Sequence, residues 1–302
     1  MGAAAMAKKH IFSKKRIFGE FSLSFPSMLW LIIFFLIPTL IIFAIAFKPA
    51  DPLGGIGSGW TFQTILALKN PNYPQIIWRT IWMSCVTTFF TLALAIPIAY
   101  HIARIPPGRR DFILLLTIVP FWTSFLIRIF AWKAVLHPEG LLKHALVYCH
   151  LISPETLLLY RPEAVLLVMI YTELPFAILP LYAAAEKFDF SLLEAALDLG
   201  ASRLRAFFNV YIPGIWNGLL SACLMVFIPS IGSYVIPDVV GGTDSMMLGN
   251  IIAQRIFVER NLPHASALST ILILAMLIPL LFFLKGKKNK VGRIKKSTRG
   301  IE

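Results

Sequence analysis

One carboxylate sits where a carboxylate is costly. Glu173 lies within VLLVMIYTELPFAILPLY (165–182), a run in which it is the only charged residue. It falls about nine residues into an apolar segment, roughly 14 Å deep at 1.5 Å per helical residue. An acid at that depth faces a partner or a water-filled cavity. Three readings follow: a counter-charge for one ammonium group of a cationic solute, an ion pair with Arg128, or a protonated acid hydrogen-bonded to a neighbouring helix. Trp122 and Trp132, in VPFWTSFLIRIFAW (119–132), add aromatic faces, which attract ammonium groups by about 0.5–2 kcal/mol. Trp132 also suits an ordinary interfacial belt. Asp238, at the end of a later apolar run, suits either a cation approaching from outside or plain solvation. Arg128 reads as a side chain that snorkels outward.

Other chemistries find no support in the residues. The six histidines form no HExxH, and GIGSG (55–59) lacks the glycine register of a serine nucleophile turn. His137, His144 and His150 share one segment at the spacing of solvated residues. Cys85, Cys149 and Cys223 are far apart, with neither a disulfide framework nor metal-ligand spacing. No Walker A sequence is present, so the chain has no ATP-hydrolysing loop of its own.

The elements that must position these residues are membrane spans. The 302 residues are 58% hydrophobic and 14% charged, and the mean hydropathy is +0.76. Soluble domains are about 45–50% apolar and about 25% charged. A helix crosses the hydrocarbon with about 20 apolar residues, and six segments approach that length: 26–47, 80–103, 112–132, 164–185, 212–236 and 265–284. The first follows Lys8, Lys9, Lys14, Lys15 and Arg16 but is too long for a signal-peptide core, so it reads as a retained anchor. With both termini in the cytoplasm, 19 Lys and Arg fall on inner segments and nine elsewhere, as the positive-inside rule asks. The net charge of +13, concentrated in the tail from Lys285, then reads as an orientation signal and lipid-headgroup contact rather than a nucleic-acid site.

The expected organisation is a basic segment 1–25, a six-span domain 26–284 and a basic tail 285–302. PADPLGGIGSGW (49–60) and NPNYP (70–74) read as irregular turns. The segment 133–163 is broken at HPEG and SPET, and a glycine turn at 241–242 precedes a short helix. Pro38, Pro97, Pro120, Pro175, Pro180 and Pro229 lie inside spans, where packing geometry or a hinge would each account for them.

Between spans four and five stands EAALDLGASRLRAFFNVYIPG (194–214). Ser191 and Glu194 fit a capping box, Gly200 suits the left-handed residue that ends a helix, and Ser202 can cap a second helix. Leu204, Phe207, Phe208 and Tyr211 fall on one helical face, and Pro213 suits the first turn of span five. This is a helix–turn–helix elbow over about 186–211, with small Ala195 and Ala196 open to close approach.

Glu194-Ala195-Ala196, three residues, Gly200, nine residues, then Val210-x-Ile212-Pro213 resembles the EAA motif of ABC importer permeases. VPFWTSFLIRIFAW (119–132), LPFAILPLYAAAEKFDFSLLEAALDLGAS (174–202) and GGTDSMMLGNII (241–252) are similar to the permease subunits of spermidine/putrescine importers. The resemblance runs from the first span to the sixth. It implies an all-α polytopic membrane protein with six transmembrane helices in the type I ABC importer permease fold, in the bacterial inner membrane. It further implies a second permease subunit, two copies of a cytoplasmic ATPase that bind ATP and Mg, and a periplasmic polyamine-binding protein. Glu194, Ala195, Ala196 and Gly200 would then form the coupling surface for the ATPase. An importer permease for another small solute, an ion- or proton-coupled carrier or channel, and an intramembrane enzyme are the competing classes; the elbow argues against the carrier, which needs no ATPase dock.

Overall fold

The computed structural model describes residues 24–52 and 54–298, with side chains through residue 281. The basic segment before residue 24 and the charged side chains of the tail, both named above, lie outside the described residues. Helices labelled here are α1 (Ser24–Ile45), α2 (Asn72–Arg104), α3 (Pro107–Ile118), α4 (Phe125–Leu136), α5 (Leu141–Tyr148), α6 (Pro162–Ala185), α7 (Ser191–Asp198), α8 (Trp216–Ile231), α9 (Val235–Val240), α10 (Leu248–Phe257) and α11 (Leu262–Thr298). No strand occurs among the described residues.

Four straight helices are long and apolar enough to cross a membrane: Ser24–Ile45, Asn72–Arg104, Pro162–Ala185 and Leu262–Leu281. Two further spans are bent pairs. Pro107–Trp122 meets Phe125–Tyr148 at 90°, and Arg203–Gly214 meets Trp216–Ile231 at 75°. The expected spans 112–132 and 212–236 fall on these two bent pairs. The first breaks in the 3-10 turn Val119–Trp122, where Pro120 supplies the carbonyl that accepts from the Thr123 hydroxyl at 2.8 Å. The second turns at Ile215 and stops again at Gly232–Tyr234, just after Pro229 has removed one helical N–H. Pro97, Pro175 and Pro180, by contrast, sit inside unbroken helices. The turn expected at 70–74 is also shorter than read. The Asn70 side chain accepts from the Asn72 N–H at 3.1 Å, and α2 starts there, with Pro74 in its first turn where no N–H is needed.

Residues 24–67 with 260–270 form one compact unit, and 68–259 with the chain from 271 onward form another. In the first, α1 contains a π-turn at Ile32–Leu36 immediately before Pro38, and Trp30, Phe34 and Phe35 are exposed as lipid-facing side chains are. The glycine-rich loop turns through left-handed Gly54, Gly55 and Gly59.

In the second unit α2, α6 and α8 pack on one another. Their contact is made of small side chains: Ala95, Ala99, Ala177, Ala185 and Ala222 are fully buried. Helices approach closely in lipid through such residues. Several polar members of this interior close their own hydrogen bonds, while the fully buried Thr91 and Ser230 hydroxyls have no partner among the described residues. Thr80, Ser84 and Thr88 donate to the carbonyls of Ile76, Thr80 and Ser84 at 2.7–2.8 Å, and Thr172 donates to that of Val168 at 2.7 Å. Outward, Trp78, Trp82, Phe89 and Phe90 of α2 are exposed, the reverse of a water-soluble helix.

The end of α2 opposite the elbow holds the segment before α10. The Thr80 hydroxyl also accepts from the Leu248 N–H at 2.8 Å, and Arg79 donates to the Thr243 carbonyl at 3.2 Å. Asn250 accepts from the Met247 N–H at 3.1 Å and donates to the Tyr234 carbonyl at 2.9 Å. The short helix expected after the glycine turn is thus α10, anchored at its first turn.

A Cβ at Gly218 would lie 2.2 Å from the Ala184 Cβ, so α8 meets α6 there without room for a side chain. Gly218→Val is expected to destabilise the fold by about 1–3 kcal/mol or more, read as a lowered unfolding temperature of the detergent-solubilised protein. Gly108→Ala, with open space around it, leaves that temperature unchanged.

Candidate functional site

Two features stand out in the second unit: the elbow at one end of the helix core, and a cavity around Glu173 in its middle. The elbow begins at Asp189, whose carboxylate accepts from the Ser191 N–H at 3.0 Å. Hydrogen bonds from the Ser191 hydroxyl and then its N–H hold the Asp189 pKa below the usual carboxylate value. Ser191 is the first residue of α7 and makes no capping bond; the expected capping box is replaced by this aspartate two residues earlier. At the other end of α7, Gly200 has φ of +86°. Its N–H donates to the Leu197 carbonyl at 2.9 Å, and that of Ala201 donates to the Ala196 carbonyl at 3.0 Å. These are the two bonds of a Schellman stop. Ser202 then accepts from the Arg205 N–H at 3.3 Å, capping the second arm as read from the sequence.

The second arm departs from the expected stripe. Residues Phe207–Tyr211 form a π-turn, which advances each side chain by less than an α-turn does. Tyr211 is fully buried and Phe207 half-buried, while Leu204 and Phe208 are exposed. Tyr211 stands among the rings of Tyr100, Phe207, Phe188 and Phe190 at centroid distances of 4.9, 5.1, 5.3 and 6.3 Å. Arg104, at the end of α2, donates to the Tyr100 hydroxyl at 2.6 Å and lies 5.7 Å from the Phe190 ring. Arg110 and Glu186 pair at 3.1 Å beside it. The elbow is therefore clamped to α2 by aromatic contacts through Tyr100 rather than hung on a loose loop. Beneath it lies a cavity of about 580 Å³ whose wall includes Glu194, Leu197, Leu204, Arg104 and Arg203. Glu194 and Ala195 are exposed and Ala196 is half-buried. Leu199, 88% exposed, stands at the tip of the elbow, an apolar side chain that nothing among the described residues covers.

The second feature is a cavity of about 430 Å³ between α4, α6 and the broken end of span five. Its charged members are Glu173 and Arg128; Phe121, Phe125, Phe176 and Tyr234 supply aromatic walls. Glu173 is 7% exposed and its Oε2 has no hydrogen-bond partner. Arg128 does not reach it as an ion pair. Instead, the guanidinium lies 5.3 Å from the Phe121 ring centroid. The outward snorkel expected for Arg128 is replaced by a half-buried position in the same cavity as the acid. The break at Gly232–Tyr234 lies at the cavity wall, which Pro229, Gly232, Ser233 and Tyr234 help to line.

No protein-family model matches the chain. Over 262 residues it is 37% identical to the spermidine/putrescine transport system permease protein PotB of Haemophilus influenzae, covering 87% of this chain and 91% of that one. The chain belongs to the PotB permease family. It is 33% identical over 259 residues to PotB of Escherichia coli, covering 86% and 94%. It is also 30% identical over 234 residues to the inner membrane ABC transporter permease protein YdcU of Escherichia coli, covering 74% of each. Among solved structures, a bacterial ABC transporter involved in alginate import aligns with a TM-score of 0.71 at 18% identity, covering 93% of this chain and 99% of that one. The MetNI methionine ABC transporter aligns with a TM-score of 0.52 at 17% identity, covering 70% and 92%. The fold is that of an ABC importer permease, a helical multi-pass membrane subunit.

Within this PotB-family permease, the residues read from the sequence fall in five places. Glu194, Ala195, Ala196 and Gly200 lie together on the elbow. Glu173 lines the central cavity. Trp132 packs edge-on against Tyr171 at 5.3 Å, beside a buried cluster that includes Ile129, Leu136 and Val168. Trp122 is 77% exposed and does not line the cavity, and the adjacent Phe121 does. Asp238 is exposed at the start of α9, 3.5 Å from the Asn250 amide nitrogen. Sequence reading missed Phe121, Phe176 and Tyr234 as cavity walls and Tyr100 and Arg104 as the clamp. Only Arg104, a cation closing a long apolar run, carried any signal.

No atom lies within 4 Å of a Cβ placed at Gly200, so substitution there acts through the backbone alone. Gly200→Val is expected to cost about 1–2 kcal/mol in the left-handed region. Hydrogen exchange at the Ala201 amide should then speed by about 5–30-fold, with a smaller effect for Gly200→Asn. Unchanged exchange in the valine variant would show that the stop is not strained.

Proposed function

We propose that the chain is the permease subunit of an ATP-driven importer that passes spermidine and putrescine from periplasm to cytoplasm across the bacterial inner membrane. The observation that carries this reading is the 37% identity to a spermidine/putrescine permease across 87% of the chain. In this reading both termini are cytoplasmic, as the positive-inside count favours, and so is the elbow. The chain is non-catalytic. A second permease subunit completes the pathway, two ATPase subunits bind ATP and Mg, and a periplasmic binding protein delivers the polyamine.

The elbow is the handle for the ATPase. Glu194, Ala195, Ala196 and Gly200 present a small, rigid surface, and exposed Leu199 adds apolar area for a cytoplasmic partner to bury. Because Tyr211 and its neighbouring rings clamp the elbow to α2, and α2 packs on the helices α6 and α8 that line the cavity, a displacement of the elbow acts on those helices. Alternating access then follows from rigid transmission, with the bent spans three and five as the elements whose angle changes.

The cavity is the cation station. The Glu173 carboxylate can balance one ammonium group at about 4 kcal/mol for 4 Å and an effective dielectric of 20. The Phe121 and Phe176 faces add cation–π attraction, and the methylene stem of a polyamine suits the same apolar walls. Trp132 and Asp238 stand on the side from which substrate would arrive.

Two experiments check this. Glu194→Trp combined with Gly200→Val is expected to leave the folded protein and ATP hydrolysis in place while polyamine uptake falls at least about tenfold; full uptake would remove the coupling role. For the cargo, the assembled transporter is reconstituted with its binding protein, and ATP hydrolysis is measured with spermidine, putrescine or neither. Stimulation by either polyamine is expected, and a flat response to both would sink the substrate assignment.

A further inference from the structure

The Glu173 cavity already contains a cation. Arg128 and Glu173 are the two charged residues on its wall, yet they make no ion pair. Each keeps a buried polar atom without a partner, Nε of Arg128 and Oε2 of Glu173. The acid is more than nine-tenths buried, and the residue lines the cavity. The guanidinium meanwhile occupies the Phe121 face at 5.3 Å, which is where an ammonium group would also rest. A cation entering this space meets one attractive and one repulsive charge of equal size. It also finds one of its aromatic faces taken.

We propose that Arg128 is a specificity-determining residue of the cavity: its guanidinium competes with the incoming ammonium for Glu173 and for the Phe121 ring. The inference rests on the cation-station reading given above and adds a residue to it. A resident positive charge disfavours compact, charge-dense ions, which gain only from the carboxylate and cannot use the apolar walls. It leaves room for a single ammonium carried on an aliphatic stem, which recovers contact with Phe125 and Phe176 as it displaces the arginine. Arg128 is suited to this because it follows the 90° break in span three. Its distance from Glu173 therefore changes with the angle between the two halves of that span.

The test reads the cavity rather than the binding protein, which dominates uptake kinetics. In the assembled transporter in lipid nanodiscs, Glu173 is labelled with a hydrophobic carbodiimide, and the modified peptide is quantified by mass against increasing putrescine. Putrescine is expected to protect Glu173, and Arg128→Gln to lower the half-protecting concentration at least about fivefold. Arg128→Lys, which keeps the charge, should restore the wild-type value, and Arg128→Met substitutes for the glutamine variant if that one fails to assemble. Sodium chloride at constant ionic strength should begin to protect Glu173 only in the neutral variants. An unchanged or raised half-protecting concentration in the neutral variants, with putrescine still protecting, overturns the role of Arg128 alone. Absence of protection by putrescine in the wild-type protein overturns the cation-station reading itself.

Discussion

Inside a bilayer no water is available to satisfy a stray hydroxyl or peptide group, and α2 and α6 meet most of this demand with their own backbones, leaving the Thr91 and Ser230 hydroxyls unpartnered among the described residues. Thr80, Ser84, Thr88 and Thr172 turn their hydroxyls back on carbonyls one helical turn earlier. What remains on the contact surface is the small apolar side of each residue. Alanines of the same helices then meet at full burial. Close helix approach is the result, and it leaves little slack. Gly218 has no space for even a methyl group against Ala184. A core this tight moves as a body, so displacement applied at one end reaches the other.

Both functional features depend on that core. The elbow is held at its lower end by Tyr211 and the rings around it, with Arg104 of α2 closing the cluster. The cavity sits where the tight packing stops, at the breaks in spans three and five. There the helices cannot close on one another, because Pro120 and Pro229 have each interrupted the ladder and the chain has turned. Space for a ligand and the angle that could change that space thus share one cause. At the far end of α2, Thr80 accepts from the Leu248 N–H and Arg79 holds the Thr243 carbonyl. One helix therefore contacts both the elbow and the opposite segment.

Much of this was legible in the residues. Span positions follow from apolar length, and the elbow from a glycine whose left-handed φ was expected and observed. Errors arose where geometry depends on more than local pattern. Asp189 stands where it accepts from the Ser191 N–H, the group that Glu194 would have reached in a capping box. The stripe Leu204, Phe207, Phe208, Tyr211 assumed a period of 3.6 residues, and a π-turn changes that period without any mark in the sequence. Glu173 was singled out by its depth alone. The choice of Phe121 over its neighbour Trp122 as a cavity wall depends on how the 3-10 turn rotates the two side chains, which no spacing rule specifies. For the same reason Arg128, read as reaching outward, lies beside the acid.

The co-location of Arg128 and Glu173 has an electrical consequence. With Glu173 ionised their formal charges cancel, and in the cation-station reading proposed above the unloaded cavity would add no net charge for a membrane voltage to act on. Loaded with one ammonium, the same cavity carries a net charge of one. A potential of 100 mV, negative inside, then contributes about 2.3 kcal/mol per charge moved across the full field. In that proposed reading the inward, loaded movement would be helped by the voltage and the outward, empty one would not be opposed by it. A pair of opposite charges that do not bond each other would thus make the transport cycle asymmetric in a field.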